Sequence, residues 1–182
     1  MLLEHYLKYL QEENILKTKI SRFLKWLRNK PTEGGRTEWT SKEKSNLRKI
    51  RNLKLIDKFK IPKDETVIMG SAVLVLHGFL KRNDDIDLVV NRRTLNKMRT
   101  SKDFVKDYKL NKIFYRTPSG SLEAAMDVQV MHENLDNLLR RCDCIEKYRF
   151  MCLKDTHVMY EFLNRPKDVE KLKKLRAHFR GN

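Results

Sequence analysis

The 182 residues, 40% hydrophobic and 35% charged, suffice for one packed domain with an appendage and exclude a disordered chain. Forty Lys and Arg against 24 Asp and Glu give a net charge of +16, which points to polyanionic partners, nucleic acid first, and away from small cationic substrates. No apolar run approaches the roughly 20 residues that span a bilayer, so no membrane span is expected. The start Met1-Leu2-Leu3-Glu4-His5 does not read as a secretion signal, and three cysteines without framework spacing suggest reduced thiols and a cytoplasmic location.

In chain order, residues 2–29 read as helical, with Leu3, Leu7 and Leu10 on one stripe and a possible break at Gln11-Glu12-Glu13-Asn14. Lys17, Lys19, Arg22, Lys25, Arg28 and Lys30 follow with no acidic residue among them, opposite the apolar Ile20, Phe23, Leu24 and Leu27. That face suits RNA, or a protein partner on these helices. Pro31 and Gly34-Gly35 mark a loop, and Thr40 with Glu43 reads as a capping box opening a second basic helix to about Phe59. The expected division is a basic helical arm over 1–60 and a mixed α/β domain over 61–182.

The next segment carries the chemistry. Val67-Ile68-Met69 is a strand, Gly70-Ser71 a tight turn, and the residues after it an amphipathic helix. Asp85-Ile86-Asp87-Leu88-Val89-Val90 alternates at its start as a strand does, so Asp85 and Asp87 share one face. Two carboxylates on one face call for a cation, and magnesium is the natural one. A helix over 92–101, a strand over 113–116, turn residues Pro118-Ser119-Gly120-Ser121 and a strand over 122–131 follow. On that last strand Asp127 is the odd polar group, and Glu123 shares its face about 13 Å away at 3.3 Å per residue. The thiols Cys142, Cys144 and Cys152 with His157 lack the usual spacing of zinc hooks.

Gly70-Ser71, a gap, then Asp85-Ile86-Asp87 between apolar residues resembles the signature of the DNA polymerase beta-like nucleotidyltransferase superfamily. It looks closest to the minimal nucleotidyltransferases and the AbiEii-type toxins of toxin–antitoxin pairs. The core match covers residues 67–90, with echoes to about 172. The resemblance implies an α+β fold: a small mixed β-sheet core flanked by helices. It also implies a transferase that moves a nucleoside monophosphate from an NTP to an acceptor, RNA or tRNA being favoured by the basic arm. Two magnesium ions would lie among Asp85, Asp87 and Asp127, the last nominated as the third carboxylate.

Gly70 and Ser71 would bind the triphosphate. Arg165 and Lys167, in an Arg-x-Lys-Asp run ending at Asp168, would add phosphate contacts. The sequence departs from the pattern at Tyr160, where relatives offer a lysine, and at Asp84, an extra charge expected to point away from the site. The alternative is a catalytically degenerate nucleotidyltransferase fold that binds nucleic acid or serves as a structural protein.

Overall fold

Short β-branched and apolar runs build the centre of the protein. The structure, a computed structural model, describes residues 35–109, 112–128 and 133–181. The expectations for residues 1–34, including the basic run and its apolar stripe, lie outside the described residues. The fold is α+β: one seven-stranded mixed sheet with helices packed around it.

The strands are β1 (Thr66–Met69), β2 (Ile86–Val90), β3 (Val105–Lys109), β4 (Lys112–Arg116), β5 (Leu122–Ala125), β8 (Asp143–Ile145) and β9 (Tyr148–Phe150), in the spatial order β3-β4-β5-β2-β1-β9-β8. The pairs β1/β2, β3/β4, β4/β5 and β8/β9 are antiparallel, while β2/β5 and β1/β9 are parallel. Two shorter strands, β6 (Asp127–Val128) and β7 (Glu133–Asn134), pair with each other outside this sheet. The expected strand over 122–131 therefore breaks at Met126, a half-exposed residue between β5 and β6.

The capping box forms as the sequence predicts: Thr40 Oγ1 accepts from the Glu43 N–H, and Glu43 Oε2 accepts from the Thr40 N–H. The helix it opens is shorter than expected. α1 (Ser41–Leu47) ends, and α2 (Lys54–Lys58) starts afresh after Asn52 takes a left-handed conformation, φ 65°. A tertiary contact competes with helix propagation here, because the buried Asn83 side chain takes both backbone groups of Arg51. Leu47, Ile50 and Ile56 lie in the same core cluster as Val67 and Leu74.

α3 (Ser71–Leu76) is also short, and every residue from Ala72 to Leu76 is buried, so it is not the amphipathic helix the sequence suggested. It ends at His77 and Gly78, the latter with φ 78°. α4 (Arg92–Thr100) is capped by Asn91, whose side chain accepts from the Thr94 N–H. α5 (Leu135–Arg141), α6 (Leu153–Leu163), a 3₁₀ turn (Pro166–Asp168) and α7 (Val169–Arg180) complete the described chain. Arg141 and Asp155 form a buried ion pair between α5 and α6, Nε to Oδ2 2.5 Å. Among the described residues no helix is long and apolar enough to cross a membrane.

Candidate active site

β1 delivers Gly70 to one end of the sheet with φ 73° and ψ −140°, a conformation open to glycine and costly for side-chain-bearing residues. A second constraint acts on the same atom. A Cβ on Gly70 would collide with Oδ2 of Asp87, the β2 residue in register with Met69. The bare glycine is therefore a cradle for the carboxylate. Asp85 sits one residue before β2 begins and Asp87 one residue inside it. The loop carrying Asp85 is anchored from below: Asn83 Nδ2 donates to the Asp85 carbonyl at 2.7 Å, and Asn52 Nδ2 to the Asp84 carbonyl at 3.1 Å.

These residues open onto a cleft of about 610 Å³. Gly70, Ser71, Asp85, Asp87, Asp127, Arg165 and Lys167, the residues nominated from sequence, all line it. Asp84 lines it as well, against the expectation that it points away.

Asp127 reaches the cleft by a different route from the one expected. The break at Met126 takes it off the strand beside β2, and it pairs instead with Asn134 in β6/β7. Its carboxylate forms an ion pair with Lys112. The position beside Asp87 in the sheet belongs to Glu123, its register partner on the parallel strand β5, which also lines the cleft. The parallel pairing of β5 with β2, and not the distance along the strand from Asp127, sets the place of Glu123.

The opposite wall is cationic and comes from α6, the 3₁₀ turn and α7. Asp168, 1% exposed, accepts from Arg165 Nε at 2.5 Å and from Lys171 Nζ at 2.8 Å. Burial would raise the Asp168 pKa, but the hydrogen bonds from Lys171 and Arg165 prevail and hold it below the ordinary carboxylate value. Lys171 also lies over the Tyr160 ring, 5.4 Å from its centroid. A lysine from α7 thus stands against Tyr160 of α6. Lys171 and Arg82, which also lines the cleft, escaped the sequence reading because each looks like an ordinary solvated charge. Lys167 is exposed and makes no ion pair among the described residues.

Tyr160 reports the field of the cleft. Its hydroxyl pKa is pushed up first by burial, then by the negative charges of Asp168, Asp87 and Asp85, with Arg165 opposing. Among the described residues no three carboxylate, histidine or cysteine side chains gather closely enough to hold a metal between them. Asp85 and Asp87 would offer a hard divalent cation such as magnesium two carboxylates, the rest of its shell being water and substrate phosphate. Among the described residues the thiols do not gather into a metal centre. Cys142 and Cys144 flank Arg149, Cys152 caps α6, and His157 stacks on Phe179.

Compared with known proteins, the chain matches no family model, no curated protein and no solved structure.

Proposed function

We propose that the chain is a metal-dependent nucleotidyltransferase of the polymerase beta-like kind, moving a nucleoside monophosphate from an NTP to a hydroxyl of RNA or tRNA. The observation that carries this reading is the Gly70 cradle against Asp87, in a cleft lined by the carboxylates Asp85, Asp87 and Glu123 and by the cations Arg82, Arg165, Lys167 and Lys171. Asp85 and Asp87 would hold magnesium, with Glu123, the register partner of Asp87, beside them and Asp127 engaged by Lys112. Magnesium, when bound, would neutralise charge on the triphosphate and make the acceptor hydroxyl more acidic.

The chain's own residues supply positioning and electrostatics, which is most of what phosphoryl transfer asks of a protein. Lys167 and Arg82 would hold the β- and γ-phosphates against the cationic wall. Gly70 would let the substrate approach the backbone closely. The acceptor oxygen bonds to the α-phosphorus as the bond from that phosphorus to the bridging oxygen breaks. Its proton passes to the carboxylate wall, and pyrophosphate leaves along the Lys167 side. The basic N-terminal residues would bind RNA or a partner protein, in a cytoplasmic toxin–antitoxin setting. The free thiols of Cys142, Cys144 and Cys152 suit that compartment.

The test is transfer itself. Protein, magnesium, each labelled NTP in turn and total RNA should give labelled RNA, and Asp87→Asn should abolish the signal. Absence of transfer from all four nucleotides would sink the reading.

One observation favours a second reading, a degenerate fold that only binds nucleic acid. Arg165 and Lys171 are both committed to Asp168, which leaves fewer free cations for a triphosphate. In that case RNA binding is unchanged by Asp85→Asn and Asp87→Asn, and no NTP binds the cleft in the presence of magnesium.

A further inference from the structure

A second pocket, of about 220 Å³, lies at the end of the β1/β2 pair remote from the cleft. Ile61 and Pro62, ahead of β1, and Thr94 and Met98, on the helix after β2, form part of its lining. Thr66 pairs with Val90 at this end and Met69 with Asp87 at the other. Three residues of strand, about 10 Å, separate the two levels.

Two features set this pocket apart. Its aromatic side is Phe59 with Phe104, ring centroids 4.9 Å apart and tilted by 59°. Around the rings stand Lys58, Lys60 and Lys97, all exposed, with Lys58 Nζ 5.3 Å from the Phe59 centroid. Lys60 is held in a left-handed conformation, φ 52°, a costly backbone state for lysine.

Among the described residues the ammonium groups of these three lysines make no ion pair or hydrogen bond, although many cations of this chain are paired. Lys63 and Lys147 bind Asp57, Lys112 binds Asp127, Lys171 binds Asp168, and Arg176 binds Glu161. The one acid in the lining, Asp103, is turned to its neighbour Ser101, whose hydroxyl lies 3.3 Å from Asp103 Oδ2. The adjoining helix α4 adds exposed Arg92, Arg93 and Arg99 and carries no acidic residue.

Unpaired cations gathered at an aromatic hollow match the needs of an unstacked nucleotide. The base covers the rings, and its phosphates meet the lysines. A membrane surface is a poorer fit. It asks for protruding apolar groups, whereas the apolar groups here are recessed between charges.

We propose that this pocket binds single-stranded RNA, taking one base against Phe59 and Phe104 and the flanking phosphates on Lys58, Lys60 and Lys97. The site is separate from the cleft and does not depend on the transfer reaction.

Binding of a fluorescent 20-nucleotide single-stranded RNA, followed by anisotropy without NTP or divalent metal, isolates it from the cleft. The triple variant Lys58→Gln/Lys60→Gln/Lys97→Gln should bind at least about tenfold more weakly and flatten the salt dependence by about two logarithmic slope units. A charge-matched control, Lys42→Gln/Lys44→Gln/Lys173→Gln, should lose less than about threefold. A 4-thiouridine RNA should crosslink at Phe59 or Phe104, and Phe104→Leu should weaken binding with little change in thermal stability. Equal losses in the two triple variants would overturn the proposal, as would crosslinks confined to other residues. So would a triple variant that loses binding to phosphatidylserine vesicles but retains RNA.

Discussion

Asp87 and Glu123 are register partners on the adjacent parallel strands β2 and β5, and both line the cleft. Asp127, by contrast, reaches the cleft from β6 and is tied to Lys112. If the cleft binds a divalent cation, Glu123→Gln should weaken manganese binding, read by calorimetry or electron paramagnetic resonance, by about tenfold or more. Asp127→Asn should change it by less than about threefold, since a part-exposed ion pair contributes little. The reverse ranking would make Asp127, and not Glu123, the carboxylate that supports the metal.

Gly70 faces two constraints at once, a positive φ and the Asp87 carboxylate where a Cβ would stand. Gly70→Ala should lower unfolding stability by about 1 kcal/mol or more, because alanine is strained at this φ. It should also displace Asp87 and abolish nucleotide transfer, a loss beyond what the stability change explains. Urea titration and the transfer assay on the same preparation separate the two effects. A folded variant with wild-type transfer would show that the cradle has no part in the chemistry.

The part of this site written in local spacing is the part the sequence revealed. Gly70, Ser71, Asp85 and Asp87 belong to one strand–turn–helix–strand unit, and their placement follows from strand alternation and the turn glycine. The placement of Glu123 beside Asp87 depends on the parallel pairing of β5 with β2 and on the break at Met126, neither of which is visible in local periodicity. Lys171 looked like surface charge, and its role depends on the buried Asp168 one turn earlier. The sequence after Gly70 predicts an amphipathic helix, but α1, α6 and the sheet close over it. The short β8/β9 hairpin carries three-residue strands, too brief for a pattern to declare itself.

Stability in acid should depend on Glu43. Burial would raise its pKa, but hydrogen bonds from Arg36 and from the Thr40 backbone and hydroxyl outweigh it and lower the value from 4.5 to about 2. His77 Nδ1 also faces this carboxylate, at 3.8 Å. A folded-state pKa below the unfolded one means the contribution is complete above about 4.5 and is lost as pH falls towards 2. The stability gap between wild type and Glu43→Gln should therefore be full at neutral pH and close across that window. Unfolding curves at stepped pH measure it, and a gap that stays constant down to pH 2 would contradict the assignment.

The buried pair of Arg141 and Asp155 ties α5 to α6, and α6 carries Tyr160 and Met159 into the cleft wall. Arg141→Ala would strand the Asp155 carboxylate, 0% exposed, without its guanidinium partner. The expected cost is about 3–5 kcal/mol, a melting temperature lower by roughly 10 °C. Replacing both groups, Arg141→Met with Asp155→Leu, removes the stranded charge and should recover most of that loss. The double variant also loses the hydrogen bond from Arg141 Nη1 to the Asn137 carbonyl, so recovery should be incomplete. Differential scanning calorimetry of both variants decides the matter: a double variant no more stable than Arg141→Ala would mean that the helices depend on packing there and not on the charge pair.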